Sequence, residues 1–112
     1  MFAAIVAAVV MTGAGPLASD QEKDAAAETY MTCLLKAAAK LDNGAAPEAQ
    51  IATDVAASCS NDLQLMKDTF ARGAASEVAQ QISDQFDGLR RRSSERAVYI
   101  VRSRRGPPQG GS

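Results

Sequence analysis

The chain contains 112 residues with a formal net charge of −1, two cysteines, no histidine and no tryptophan. This length allows one compact domain, and the lack of histidine excludes Ser-His-Asp and Cys-His catalytic arrangements as well as histidine metal sites. Two cysteines cannot complete a tetrahedral zinc site, and the carboxylates are scattered along predicted exposed helix faces, so we expect a protein that is not an enzyme and binds no cofactor.

The first predicted element is a signal peptide over residues 1–19. An uncharged apolar run from Phe2 to Met11 precedes a break that contains glycine and proline. Its length fits the roughly 7–15-residue hydrophobic region of a signal peptide and is well below the roughly 20 residues that span a bilayer. We therefore expect cleavage after Ala14 or Ser19, no transmembrane span, and a periplasmic or secreted protein. The alternative is an apolar helix of an intracellular protein, because no Lys or Arg precedes the run.

Residues 20–103 are predicted to form one all-α domain. Abundant alanine and few aromatic residues favour closely packed helices. Ser19 and Glu22 have the S-x-x-E spacing of a capping box, in which each side chain accepts a hydrogen bond from the backbone N–H of the other residue. The apolar residues that follow recur at steps of three and four, which predicts a helix over about 20–42.

Two further helices are predicted after a short turn. Gly44 can adopt the left-handed backbone conformation that ends a helix, and Pro47 suits the first turn of the next one. We therefore expect an antiparallel hairpin whose second helix spans about 47–72. Polar residues near the middle of this second helix favour a kink. A third apolar pattern predicts a helix over about 74–102, packed on the hairpin. The segment Ala97–Val101 also has strand-like propensity, although no second strand is apparent to pair with it.

The two cysteines, Cys33 and Cys59, are predicted to form a disulfide. Each lies on or beside the apolar stripe of its own helix, and folding the hairpin brings these helices side by side. Their distances from the turn differ by about one helical turn, which the loop can accommodate. The alternatives are buried free thiols and a redox site, and the redox site lacks both a C-x-x-C spacing and a histidine that would lower a thiol pKa.

The segments around the cysteines resemble a known group of proteins. The first cysteine lies in the pattern Y-x-x-C-x-x-x-A-A-x-x-L-D-x-G, from Tyr30 to Gly44, and the second lies in IATDVAASC, from Ile51 to Cys59. These segments resemble small uncharacterised exported two-cysteine helical proteins of alphaproteobacteria, which implies an exported helical protein and supplies no catalytic residues. A fainter likeness, to the periplasmic acid-stress chaperones of enteric bacteria, rests on small size, helical character, the two cysteines and the second segment.

Charge is distributed unevenly along the chain. Residues 20–87 contain five basic and twelve acidic side chains, a net charge of −7, whereas residues 88–112 contain seven arginines and one glutamate, a net charge of +6. We expect these arginines to bind an anionic envelope lipid or an acidic protein. The candidate residues are Arg90, Arg91, Arg92, Arg96, Arg102, Arg104 and Arg105. The alternative is that this region folds back on the acidic body. Nucleic acid is disfavoured, because only Tyr99 offers an aromatic stacking surface there.

The last residues, 104–112, are predicted to be disordered because they lack core-forming side chains.

The sequence as a whole favours an exported, non-catalytic interaction protein of the bacterial cell envelope, whose basic C-terminal region binds an anionic partner. A periplasmic stress chaperone is the second functional class, and an enzyme of unrecognised type is the third.

Overall fold

The computed structural model describes residues 16–105, which contain four helices and no strand. The helices are α1 (Asp20–Leu41), α2 (Glu48–Ser58), α3 (Ser60–Ala71) and α4 (Ser76–Arg105). The predicted all-α class is therefore confirmed, and Ala97–Val101 is helical. Residues 1–15 of the predicted signal peptide and residues 106–112 of the predicted tail lie outside the described residues, whereas residues 104 and 105 of that tail complete α4.

Helix α1 begins at the predicted capping box. The Ser19 hydroxyl oxygen accepts a hydrogen bond from the Glu22 backbone N–H at 3.1 Å, and Glu22 Oε1 accepts one from the Ser19 backbone N–H at 2.9 Å. Caps of this kind satisfy backbone donors that have no partner within the helix and stabilise it by about 1 kcal/mol. Glu22 also forms a 2.6 Å ion pair with Arg72, which ties the start of α1 to the end of α3.

The chain reverses direction through residues 42–47. Gly44 has a φ of +76°, a left-handed conformation that glycine adopts without strain. Its backbone N–H donates a hydrogen bond to Asp42 Oδ1 at 3.0 Å. Pro47 follows, and its carbonyl accepts hydrogen bonds from the first turn of α2. The turn thus forms where glycine and proline predicted it.

The single helix predicted over about 47–72 is instead divided into α2 and α3 at Cys59. Cys59 has a φ of −110° and a ψ of 21°, outside the usual helical values. Just before it, the Ser58 hydroxyl donates a hydrogen bond to the carbonyl of Asp54 at 3.1 Å. A bond of this type bends helices, and it lies next to the interruption at Cys59.

The predicted disulfide between Cys33 and Cys59 is confirmed, with a Cα–Cα distance of 6.0 Å. Cys33 lies in the middle of α1, and Cys59 lies at the junction of α2 and α3, where it is 1% exposed. The bond therefore joins the two arms of the antiparallel hairpin that α1 forms with α2 and α3.

Helix α4 packs across this hairpin. It is antiparallel to α3, because Phe70 meets Phe86 edge to face with ring centroids 5.1 Å apart and Lys67 forms a 2.6 Å ion pair with Asp87. At its other end, Arg102 contacts Asp42, which follows the last residue of α1. The C-terminal ends of α1 and α4 therefore lie together.

The core consists mainly of small and aliphatic side chains from all four helices. Its buried residues are Tyr30, Leu34, Ala38, Ile51, Ala52, Val55, Cys59, Leu63, Met66, Ala97, Val98 and Val101. The apolar pattern predicted for the third helix only partly enters this core, because Val78 and Leu89 are 46% and 40% exposed. Among residues 16–105, no helix has the length and apolarity needed to cross a membrane.

Candidate functional site

Helix α4 carries all seven arginines that the sequence analysis assigned to an anionic partner, and the structure divides them into two groups. Arg102 and Arg105 contact Asp42 at the end of α1. The remaining five are exposed: Arg90, Arg91, Arg92, Arg96 and Arg104. Arg102 and Arg105 therefore do not face an external partner. They follow the alternative stated in the sequence analysis, in which the basic region folds back on the acidic body.

Asp42 accepts hydrogen bonds from both arginines of the first group, and its side chain is fully buried. Arg102 donates to Asp42 through Nη2 at 2.8 Å and through Nε at 3.1 Å, and to the carbonyl of Ala46. Arg105 donates to the Asp42 carbonyl at 3.0 Å and to the Ala39 carbonyl at 2.6 Å. We call this set of contacts the Asp42 clamp. It fixes the C-terminal end of α4 to the turn between α1 and α2.

The clamp stabilises the charged form of Asp42. Hydrogen bonding from Arg102 lowers the pKa of the Asp42 carboxyl, and the Gly44 N–H and the charge of Arg105 act in the same direction, whereas burial opposes them. The same hydrogen bond raises the pKa of Arg102. Both groups are therefore charged at neutral pH, as a buried carboxylate requires if its burial is to be tolerated.

The five exposed arginines have no such partner. Among residues 16–105, no carboxylate lies within ion-pair distance of their guanidinium groups. The only acidic residue between Gly88 and Arg105 is Glu95. This part of α4 therefore presents a concentrated positive charge to its surroundings. An arginine guanidinium donates paired hydrogen bonds that match carboxylate and phosphate oxygens, which is the chemistry that this surface offers.

All three large apolar side chains that α4 exposes lie on one side of the helix. Val78, Leu89 and Tyr99 are 46%, 40% and 56% exposed. They are separated by eleven and ten residues, and both intervals are close to three turns, about 10.8 residues. Arg92 and Arg96 lie between Leu89 and Tyr99 on the same side. We call these five residues the outer face of α4, because they lie opposite its buried side.

Two acidic residues border the outer face on the side toward α2. Glu48 and Glu95 line a shallow hollow together with Arg92, Arg96 and Tyr99. Neither carboxylate is within ion-pair distance of Arg92 or Arg96. The positive charge of the outer face is therefore partly offset on one edge and unopposed on the other.

A second group of potentially reactive side chains surrounds the disulfide. Cys33, Cys59 and Asp62 have potential ligand atoms within 4.8 Å of one another, a spacing that would suit a metal ion. Both sulfurs are bonded to each other, however, and a thiolate, not a disulfide sulfur, is the usual cysteine ligand. The adjacent hollow is open, and Glu28, Lys36 and Asp62 are among its lining residues. We assign this region a structural role.

Two buried hydroxyl groups lie inside the helix bundle. Tyr30 and Ser94 are 5% and 0% exposed, and neither side-chain oxygen has a hydrogen-bond partner of good geometry among the described residues. Burial raises the pKa of Tyr30, and the charge of Arg90 and the Ser94 hydroxyl act in the opposite direction. Ser94 was not predicted in the core, since its neighbours Ser93 and Glu95 give no hydrophobic signal there.

Sequence reasoning also missed the role of Asp42. The periodicity places Asp42 at the end of the first predicted helix, and the one signal of its role in the sequence is its opposite charge to the distant Arg102 and Arg105. The chain matches no protein-family model, no curated protein and no solved structure. Function is therefore inferred from the charge, exposure and contacts of its own residues.

Proposed function

We propose that this protein is an exported, non-catalytic interaction protein of the bacterial cell envelope, and that the exposed arginines of α4 bind an anionic partner. One observation carries the proposal. Five arginines lie exposed on α4 without an ion-pair partner among residues 16–105, whereas Arg102 and Arg105 on the same helix form ion pairs with Asp42.

The rigidity of α4 supports this role. The helix runs without interruption for 30 residues and is fixed to the hairpin near its middle, by the Lys67–Asp87 ion pair, and at its C-terminal end, by the Asp42 clamp. Side chains on such a helix keep a constant spacing, so less order must be imposed when a partner binds. Exposed arginines without partners also avoid the penalty of breaking existing ion pairs.

The disulfide supports the proposed location. Disulfides form and persist in oxidising compartments such as the periplasm, and are uncommon in the bacterial cytosol. The Cys33–Cys59 bond is therefore compatible with an extracytoplasmic protein. The apolar stretch at residues 1–19, which we expect to be a signal peptide, points in the same direction.

A non-catalytic role is favoured by the residue types available. The whole chain lacks histidine, the usual general base near neutral pH. Three carboxylates have clearly lowered pKa values, and each shift has a structural cause. Hydrogen bonds from Arg102 and Lys67 lower the pKa values of Asp42 and Asp87, and the helix-capping N–H of Ser19, followed by Arg72, lowers the pKa of Glu22.

The test is binding to soluble poly-glutamate and to phosphatidylglycerol vesicles, with the five exposed arginines replaced by glutamine. We expect the unmodified protein to bind at least one of these probes at low ionic strength and to release it as salt rises, because the Debye length shrinks from about 10 Å at 0.1 M to about 3 Å at 1 M. The glutamine variant should lose this binding.

Two outcomes would contradict the proposal. One is unchanged binding by the variant, and the other is no binding of the unmodified protein to either probe. Strong suppression of client aggregation at acidic pH by the glutamine variant would place the alternative, a periplasmic stress chaperone, first.

A further inference from the structure

We infer that the anionic partner is a phospholipid bilayer surface, and that α4 lies on it through its outer face. This inference rests on the proposed function and adds to it the class of partner and the side of the helix that makes contact. It commits to five residues: Val78, Leu89, Arg92, Arg96 and Tyr99.

The first step concerns the apolar residues of the outer face. Val78, Leu89 and Tyr99 are each at least 40% exposed, although the core of the bundle is available to α4. Their common side of the helix means that one flat surface can cover all three at once. From Val78 to Tyr99 the outer face extends about 31 Å at 1.5 Å per residue. A bilayer surface is flat over that distance.

The second step concerns charge. At about 100° per residue, the four acidic residues of α4 lie outside the outer face, toward the side that α2 and α3 occupy. They are Glu77, Asp84, Asp87 and Glu95. Arg92 and Arg96 lie within it. The outer face itself therefore combines positive and apolar side chains, and the neighbouring carboxylates, Glu48 and Glu95, lie only along its edge toward α2. Positive and apolar side chains on one side are the composition by which helices bind in the plane of an anionic membrane interface.

The third step separates a lipid surface from an acidic protein or polyanion. A partner that recognised charge alone would use the arginines and leave Leu89 and Tyr99 in water. A bilayer interface accepts both, because the apolar side chains enter the boundary between headgroups and acyl chains while the guanidinium groups stay with the phosphates. Tyrosine is enriched at such interfaces, since its ring is apolar and its hydroxyl is polar.

The experiment uses the lack of tryptophan in the chain. Tyr99→Trp places a single fluorophore on the outer face, and Leu65→Trp places one at a similarly exposed site in the groove between α1 and α3. Each variant is titrated with vesicles of phosphatidylglycerol, with vesicles of phosphatidylcholine, and with soluble poly-glutamate. Circular dichroism checks that both variants keep the helical fold.

We expect phosphatidylglycerol vesicles to shift the emission of the Tyr99→Trp variant to shorter wavelength and brominated lipid to quench it, while the Leu65→Trp variant responds weakly. In the Tyr99→Trp background, Arg92→Gln with Arg96→Gln should weaken vesicle binding roughly thirtyfold, since each basic side chain near an anionic surface contributes about a fivefold gain. The matched change of two body charges, Lys36→Gln with Lys40→Gln, should leave binding nearly unchanged.

The remaining outcomes are distinct. Salt-sensitive binding to vesicles or poly-glutamate without a shift at position 99 would overturn the lipid-surface inference and leave the proposed function standing, with a partner bound by charge alone. Equal shifts at positions 65 and 99 would overturn the assignment to the outer face. Binding to none of the probes at low salt would overturn both the inference and the proposed function.

Discussion

The buried carboxylate of Asp42 receives hydrogen bonds from two arginines of α4 and from the Gly44 amide. Burial of a charge is unfavourable unless the charge is paired and its remaining lone pairs are satisfied, and the Asp42 clamp meets both conditions. Arg102 is 28% exposed in its side chain, whereas the Asp42 side chain is fully buried. The guanidinium of Arg102 therefore keeps some contact with solvent while the pair holds the end of α4 in place.

Asp42→Asn should destabilise the protein by about 2–3 kcal/mol, because it removes the charge that two guanidinium groups surround and weakens several charge-assisted hydrogen bonds. Urea unfolding followed by circular dichroism measures the change. The matched control is Asp54→Asn, at an exposed position, which should change stability by no more than about 0.5 kcal/mol. Equal effects of the two substitutions would contradict the role given to the Asp42 clamp.

Acid should weaken the fold through the same residue. The pKa of Asp42 is lower in the folded protein than its ordinary value of 3.8, so the unfolded chain binds the proton first as the pH falls. The contribution of Asp42 is thus present above the ordinary pKa and is lost as the pH falls through the folded pKa. We expect an unfolding free energy that is nearly constant from about pH 7 to about pH 5 and declines below about pH 4. A decline of the same steepness in Asp42→Asn would count against this explanation.

At the scale of elements, the hairpin of α1 with α2 and α3 is the part most readily predicted from sequence. The Ser19–Glu22 capping box, Gly44 and Pro47 are local signals that act through neighbouring backbone atoms, and the structure follows them. The disulfide was predictable because the turn between the two cysteines is short. These features need no knowledge of long-range packing.

Other element-scale features depend on contacts that periodicity does not reveal. In α4, Val78 belongs to an apolar pattern with helical spacing just as Ala97 and Val98 do, yet Ala97 and Val98 are buried while Val78 is exposed. The candidate site also depends on contacts between distant parts of the chain. The cluster of arginines was visible in the sequence, but its division into clamped and exposed members depends on where Asp42 lies in space.

Reduction of the disulfide is expected to lower stability by about 3.5 kcal/mol in the chain-entropy model, for the 26-residue separation of Cys33 and Cys59. Thermal unfolding with and without reductant measures this, and Cys33→Ala with Cys59→Ala provides a variant that reductant should not affect. Protein purified from the envelope should contain no reactive thiol under denaturing, non-reducing conditions. Two reactive thiols per chain would show that the bond does not form in the cell.

The start of α1 selects between the two expected cleavage positions. Cleavage after Ser19 would remove the residue that caps α1 and also Ala18, which is 7% exposed. Cleavage after Ala14 retains both. We therefore expect intact-mass measurement of protein from the cell envelope to give a chain that begins at Gly15. A chain that begins at Asp20 would contradict this choice, and an unprocessed chain in the cytosol would contradict export.

At the scale of the whole molecule, a net charge of −1 conceals opposite charges at two ends of the chain. Residues 20–87 are acidic and the end of α4 is basic, so an anionic surface repels one part and attracts the other. Such a molecule should bind in one orientation, with α4 toward the partner and the acidic hairpin away from it. Net charge alone would have indicated no preference for an anionic partner.

The most direct measurement is a comparison of two double variants that lose the same charge from different parts of the molecule. Arg92→Gln with Arg96→Gln alters the outer face of α4, and Lys36→Gln with Lys40→Gln alters exposed positions of α1. Binding to phosphatidylglycerol vesicles is titrated for each at about 0.1 M and about 1 M salt, where screening differs most. We predict that the arginine variant binds at least tenfold more weakly at low salt, that the lysine variant binds like the unmodified protein, and that high salt removes the difference. Equal weakening of the two variants would contradict an anionic-partner site on α4.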